Sequence, residues 1–474
     1  MEKNKIEQRK TTSFTNAPKE QADVCVIGAG ITGLTTAFYL TKYGKRVCVI
    51  ETADRIGGQI CTHKVDGFII ESGPNTGSIA CPEVVELFQD LGKSSLLQTA
   101  CSASKHRWIW KGNKFYNLPE GLFSALSTPL FTWYDKFRIL GEPFRKKGTN
   151  ADETVGALVV RRLGKSYLKY AVDPFISGVY AGDPMKLVTR YALPKLYQLE
   201  YNYGSFICGA IAKAKQSKTD RDKLATKEVF SAHGGLEQLV KALGDNIGVE
   251  NIVLGAHETE IHPYENGYQV SYKNKDNESC TIDCKKVITT CGAYALPKLL
   301  PFVSKELMNN ISSLFYAPIV QVGVGIKDTK GVDFKAFGGL IPSCEHKDVL
   351  GILLPSACFT GRSPQKGITL SFFIGGVRHQ DFINKTDEEL MHIVDEALHH
   401  MLKLPASVKP DVIRIFRHQC AIPQYEITSG ARFSAIEKVQ QQYSGLILAG
   451  NLRDGIGMAH RIKQAVDVAK SLSC

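Results

Sequence analysis

The chain has 474 residues, 58 basic and 47 acidic side chains, a formal charge of +11 and 43% apolar residues. That is too long for one ordinary core and points to two or three domains at roughly 150 residues each. The apolar content and the modest charged fraction exclude a disordered, collagen-like or coiled-coil chain, while the basic excess suits an acidic ligand or an anionic membrane surface.

Residues 1–20 are polar and Lys-rich without an apolar core, which reads as a flexible tail and neither a signal peptide nor a span. Asp23–Ile27 (DVCVI) is a short β-branched run that leads into GAGITG (Gly28–Gly33) and then an apolar stretch ending at Gly44, the pattern of strand, tight turn and helix. RVCVIE (Arg46–Glu51) is a second buried strand, so about thirty residues hold one βαβ unit. A helix follows over Glu83–Leu91, with Pro82 at its start. Trp108–Lys147 is aromatic-rich and punctuated by Pro and Gly; helical patterns run on through Tyr170 and from Tyr191 to Lys215, and Lys213–Lys227 reads as an exposed connection. Between Asn251 and Thr290 the pattern is strand-like in NIVLG, GYQVSYK and KKVITT. Leu307–Ile326 lacks charge, yet Asn309, Asn310, Ser312, Ser313 and Pro318 exclude a spanning helix. Strands are expected at Val320–Ile326 and Gly367–Ile374, an amphipathic helix at Asp387–Leu402, and a closing strand, Gly turn and helix from GLILAG (Gly445–Gly450) to Leu472.

The Gly spacing has a chemical reading. A dinucleotide pyrophosphate needs close backbone approach and a partial positive charge: Gly28 permits the turn, Gly30 the approach, Gly33 the packing of helix on strand, and the helix N-terminus supplies N–H groups. Glu51 closes the next strand about twenty residues on, where a carboxylate accepts ribose hydroxyls. Arg55-Ile56-Gly57-Gly58, Glu71–Thr76 (ESGPNT) and Gly450–Gly457 (GNLRDGIG) add three more backbone segments suited to a large dinucleotide, and together they point to FAD rather than a nicotinamide. Thirteen scattered cysteines with no CxxC pair exclude a complete disulfide framework and a zinc site, no metal is expected, and no basic stretch interleaved with aromatics suggests nucleic acid. A reducing compartment fits.

ESGPNT, SGVYAGD (Ser177–Asp183), HGGLEQLV (His233–Val240), YAPIVQVG (Tyr316–Gly323), FGGLIP (Phe337–Pro342), FFIGGVR (Phe372–Arg378), AIPQYE (Ala421–Glu426) and AGNLRDGIG resemble, in the same order, segments of the protoporphyrinogen oxidase family, which includes the coproporphyrinogen III oxidases. The resemblance implies an α/β, multi-domain chain: a glutathione-reductase-like Rossmann FAD-binding domain (21–90, 225–300 and 415–474), an interleaved β-rich substrate domain (91–110 and 301–414) and a helical, membrane-associating domain (111–224). It implies non-covalent FAD contacts at Gly28, Ala29, Gly30, Ile31, Thr32, Gly33, Glu51, Arg55, Gly58, Gln59, Gly73, Pro74, Asn75, Thr76, Glu258, Gly450, Asn451, Ile456, Gly457 and Met458. It further implies removal of six hydrogens from a porphyrinogen in three flavin reductions, with molecular oxygen reoxidising the flavin. Arg107 stands where the family sets a guanidinium against a substrate propionate; Phe337, Gly338, Leu340, Leu353 and Phe373 stand at the pocket wall, and the Gly178 carbonyl where a pyrrole N–H is sensed. A homodimer and a cytoplasmic location, peripheral on the inner face of the cell membrane, are compatible with it.

The residues agree with that chemistry. A porphyrinogen is an apolar body edged with carboxylates, so its pocket combines apolar walls with a cation at the mouth, and flavin oxidation needs no strong protein base. Three alternatives stay open: an amine oxidase or carotenoid desaturase of the same superfamily, coproporphyrinogen III as substrate, and a flavin-bearing scaffold without turnover. The last is motivated by Arg453 and by Met458–Ile462 (MAHRI), which depart from the family's usual final motif and put His460 or Arg461 beside flavin or substrate.

Overall fold

The computed structural model describes residues 21–119 and 122–473; the tail expected over 1–20 lies outside them. Strand β1 (Gln21–Ile27), helix α1 (Ile31–Lys42) and strand β2 (Val47–Ile50) form a βαβ unit, with β1 and β2 parallel from Val24↔Val47 to Ile27↔Ile50. These strands are continuous apolar runs because both faces of their sheet are covered. One face carries α1 and the helices Glu83–Asp90, Glu237–Ile247 and Met458–Ser471; the other carries Leu296, Met308, Ile311, Ile436 and Val439 from three further helices. Ser279–Thr289 serves two neighbourhoods in this first sheet. Its end runs parallel to β1 and to Leu446–Leu448, and its beginning pairs antiparallel with Gly267–Lys273. His257–Tyr264 adds an edge strand that the hydropathy pattern misses, because only Ile261 along it is buried and its other positions are polar or exposed.

The second sheet has the spatial order Val412–Pro423, Tyr316–Ile326, Ile368–Gly375, Val349–Leu353, Gly338–Leu340, Arg107–Lys111, Lys114–Asn117. Its outer face is closed by Leu390, Ile393 and Val394 of the helix Asp387–Glu396. Its inner face receives the strand Phe68–Ser72 at close range: a Cβ at Gly325 would stand 2.7 Å from Phe68 Cγ, and one at Gly323 would overlap Ile70. Two expected boundaries move. Lys114–Asn117 hairpins back on Arg107–Lys111, so the sheet extends past 111, and Val412–Pro423 is one continuous strand across 415. The uncharged stretch 307–326 is the end of one helix and a fully buried strand, and among the described residues no helix is long and apolar enough to cross a membrane.

Five further helices, Trp133–Leu140, Val155–Arg162, Asp173–Tyr180, Pro194–Tyr203 and Phe206–Ala214, pack partly around buried charge. Arg162 and Glu142 are both fully buried and ion-paired. Glu142 also accepts from Ser205 Oγ at 2.6 Å and from the Phe206 N–H at 3.0 Å, which caps the last of these helices.

Candidate functional site

Two glycine turns lie side by side at the C-terminal end of β1. The Ala29 N–H donates to Glu51 Oε2 at 2.7 Å, Glu51 Oε1 accepts from the Ala53 N–H at 2.9 Å, and the Gly57 N–H donates to the Ala29 carbonyl at 2.7 Å. Arg55 spans the second turn and donates to the carbonyls of Ile56, Gly58 and Ile60 at 3.2, 2.7 and 3.1 Å. Gly28 has φ +102°, and a Cβ on Gly33 would overlap the Gly28 carbonyl, so both positions demand glycine. Ile31 and Thr32 open α1, whose N-terminus has no side-chain cap. Glu258 stands at a bulge two residues beyond Ala256; the Ala256 N–H donates to the Glu51 carbonyl at 3.0 Å, while the Glu258 side chain pairs with Lys273 at 2.7 Å.

The segment Gly73–Thr76 is sewn to the second sheet. Gln321 Oε1 accepts from the Gly73 N–H at 2.7 Å, and its Nε2 donates to the Glu71 carbonyl at 2.7 Å. Ser371 Oγ donates to Asn75 Oδ1 at 2.8 Å, and Pro74 and Thr76 remain half-buried between these anchors. Gln59 Nε2 reaches the Cys420 and Ala421 carbonyls at 3.3 and 3.4 Å. Beneath the segment, Glu71 pairs with Arg362 at 3.0 Å; burial pushes the carboxyl pKa up and pulls the guanidinium pKa down.

Register then decides which side chains meet this segment. Gln321 pairs with Phe373, Phe373 with Gly351 and Gly351 with Leu340; Ser371 pairs with Leu353, Leu353 with Gly338 and Gly338 with Arg107. Directly opposed residues share a face, so Phe373, Leu353, Leu340, Gly338 and Arg107 lie on the face that carries Gln321 and Ser371. Leu340, Leu353 and Phe373 are half-buried there, while Ile352, Leu354 and Phe372 beside them are buried on the other side. The Arg107 guanidinium lies 5.8 Å from the centre of the Phe337 ring, itself packed against the buried cluster of Val229, Cys358 and Phe359. The helix Asp173–Tyr180 touches the same face at Gly178, where a Cβ would overlap Leu340 Cδ2. Phe175 and Val179 sit three residues before and one after Gly178, both about two-fifths exposed, and widen this apolar wall. The i, i+3, i+4 spacing was the only sequence signal for them.

The third segment, Gly450–Gly457, leads into the helix Met458–Ser471. Tyr316 Oη donates to Asn451 Oδ1 at 3.0 Å, and Tyr425 Oη to the Asn451 and Gly455 carbonyls at 2.9 and 3.3 Å. Ile456 packs toward Tyr425, Gly457 stands exposed at the N-cap, and Met458 is buried, its Cε 2.7 Å from where a Gly77 Cβ would stand. His460 is exposed beside Gly455, and its burial among protein atoms on the other side lowers its pKa. Arg461 turns away from the exposed side of the loop and binds the Gly450 and Arg453 carbonyls from behind, so it does not share the position of His460.

The sequence profile of the flavin-containing amine oxidoreductases matches residues 31–460. The chain is 31% identical to a chloroplastic protoporphyrinogen oxidase of Oryza sativa, with 95% of this chain and 88% of that protein covered. It belongs to the flavin-containing amine oxidoreductase family, in its protoporphyrinogen oxidase group. Other relatives of this flavoprotein are protoporphyrinogen oxidase 2 of Arabidopsis thaliana, 29% identical over 94% of this chain and 92% of that one, and the coproporphyrinogen III oxidase of Bacillus subtilis, 24% identical over 93% and 96%. In fold it matches a crystal structure from Exiguobacterium described as a candidate protoporphyrinogen oxidase, with TM-score 0.79 at 20% identity over 96% and 98% of the two chains. The flavoprotein is an FAD-dependent oxidoreductase. Its glycine turns suit that cofactor. A Cβ at Gly30 would meet no heavy atom within 4 Å, so the backbone there faces open room, whereas the same addition at Gly28 stands 2.7 Å from Thr290 Oγ1.

Proposed function

We propose that this flavoenzyme oxidises a porphyrinogen to the corresponding porphyrin, protoporphyrinogen IX to protoporphyrin IX, with molecular oxygen as the final acceptor. The observation that carries the reading is the combination on one sheet face of a cation, Arg107, with the half-buried Leu340, Leu353 and Phe373, directly beside the segment Gly73–Thr76. Among the described residues, Arg107 forms no ion pair, so its guanidinium is available to a propionate.

FAD, when bound, takes up the hydrogens and electrons that leave the macrocycle and passes the electrons on. The chain's own residues bind and orient. Arg107 fixes the carboxylate edge, and Phe337, Leu340, Leu353, Phe373, Phe175 and Val179 exclude water from the ring. The Gly178 carbonyl lies in the last turn of its helix, where carbonyls have no intrahelical donor, and accepts a pyrrole N–H. None of these pocket residues is a carboxylate or an imidazole, and His418, which shares the sheet face, stands on its edge strand opposite Ile319; this fits a reaction whose rate comes from positioning rather than from a protein base.

The reading extends to membrane contact. Trp133, Tyr134, Phe137, Leu140 and Phe144 are 62–89% exposed, with Lys136 over the Trp133 ring at 4.6 Å and Lys147 over the Tyr201 ring at 4.3 Å. Exposed rings that carry ammonium groups suit an anionic interface, although Lys136 also donates to the Leu126 carbonyl at 2.6 Å. Arg138 and Arg145 do not contribute, since they are spent on the carbonyls of Leu163 and Arg138. Aerobic turnover with protoporphyrinogen IX, coproporphyrinogen III and putrescine as alternative substrates tests the reading: porphyrin fluorescence and oxygen uptake are expected with the first. Turnover of putrescine alone would replace it with amine oxidation.

A further inference from the structure

Two buried guanidinium groups stand behind the final loop without an acid to neutralise them. Arg432 is fully buried and Arg461 is 5% exposed, and among the described residues neither forms an ion pair. Both spend their donors on backbone carbonyls and one neutral side chain each, Ser429 Oγ for Arg432 at 2.9 Å and Gln464 Oε1 for Arg461 at 2.8 Å. Arg432 Nε donates to the Leu452 carbonyl at 3.2 Å, and Arg461 donates to the Gly450 carbonyl and, at 2.7 Å, to that of Arg453. With Tyr425 on the Asn451 and Gly455 carbonyls, the acceptors of this loop are drawn to the rear. The Arg432 ring contacts are apolar, Tyr425 at 5.6 Å and Phe433 at 5.1 Å, and one nitrogen of each arginine, Arg432 Nη1 and Arg461 Nε, has no partner. The nearest carboxylate in the hydrogen-bond chain, Asp454, is taken by Arg453 at 3.2 Å and by Gln464 at 2.7 Å.

Burying an unpaired charge costs stability, and arginine keeps its proton even in a protein interior. A fold that retains two such charges behind one loop gains positive potential on the loop's front. The loop also leads into a fourteen-residue helix whose N-terminus adds to that potential.

We propose that Arg432 and Arg461 are positioning residues that hold the loop's carbonyls away from the cofactor and favour the reduced, more negative form of the flavin ring, raising its reduction potential. The inference rests on the cofactor reading above, with the ring end at this loop. Strand order supports that direction: Glu51 follows β2, Gly28–Gly33 follow β1, and Gly450 follows the strand beyond Ser279–Thr289, where Tyr316 and Tyr425 join it to the second sheet.

The test is the reduction potential of the bound flavin, measured against a reference dye in the full-length holoprotein. In Arg461→Met the preference for the reduced flavin is expected to fall about tenfold, which is a potential lower by about 30 mV for a two-electron couple; Arg461→Lys restores most of it. Should Arg461→Met not fold, Arg432→Met carries the same expectation, with Arg432→Lys as its rescue. A flavin-loaded methionine variant with the wild-type potential overturns the inference, as does a lysine variant that falls as far as methionine. Wild-type protein that takes up no FAD would instead defeat the cofactor reading.

Discussion

Replacing Arg107 with alanine removes the cation that opposes Gly338 on the face that carries Leu340, Leu353 and Phe373. A charged hydrogen bond is worth about 1.5–3 kcal/mol, and the exposed position of Arg107 favours the lower half of that range. About 1.5–2 kcal/mol corresponds to roughly a 10- to 30-fold loss in kcat/KM. Because the propionate is bound equally before and during reaction, the loss belongs in KM, with kcat nearly unchanged. The assay is the initial rate of porphyrin fluorescence with protoporphyrinogen IX and with its dimethyl ester. Wild type should prefer the acid by about the factor that alanine loses, and the alanine variant should treat acid and ester alike. An alanine variant with full FAD content that still discriminates against the ester would refute the assignment of Arg107.

Other perturbations reach separate parts of the account. Arg162→Met leaves Glu142 buried without its partner and should lower unfolding free energy by about 3–5 kcal/mol in denaturant titration. Gly33→Val forces a side chain into the Gly28 carbonyl, and purified protein should lose the yellow flavin absorbance. Serine at Trp133, Phe137 and Phe144 together should abolish sedimentation with anionic vesicles while porphyrinogen oxidation in detergent continues. Arg46 holds the Asp23 carboxyl down at about 2. A depressed carboxyl stabilises the fold above its unfolded pKa, and that contribution is lost as pH falls from about 4 toward 2. Asp23→Asn should therefore remove about 1 kcal/mol at pH 7 and little at pH 2, the figure kept small because the pair is partly solvated.

Local chemistry was legible in the chain, and cross-chain chemistry was not. DVCVI, GAGITG and RVCVIE fall on β1, the turn into α1, and β2, because glycine spacing and continuous apolar runs are short-range signals. The edge strand His257–Tyr264 escaped because one buried side chain gives no alternation. Arg107, Leu340, Leu353 and Phe373 were named from resemblance alone; what unites them is the register of five strands, which no local pattern encodes. The sequence left His460 and Arg461 as alternatives beside flavin or substrate. Their different settings have a tertiary cause, since the carbonyls of Gly450 and Arg453 are brought within reach of Arg461 by the loop that precedes the last helix.

The most direct test of porphyrinogen oxidation is a single mixing experiment without oxygen. FAD-loaded enzyme is combined with protoporphyrinogen IX, and flavin absorbance and porphyrin fluorescence are followed together. The flavin is expected to bleach as substrate is consumed and its yellow colour to return on admission of air, with porphyrin as the product. Flavin that stays oxidised with both protoporphyrinogen IX and coproporphyrinogen III would contradict it.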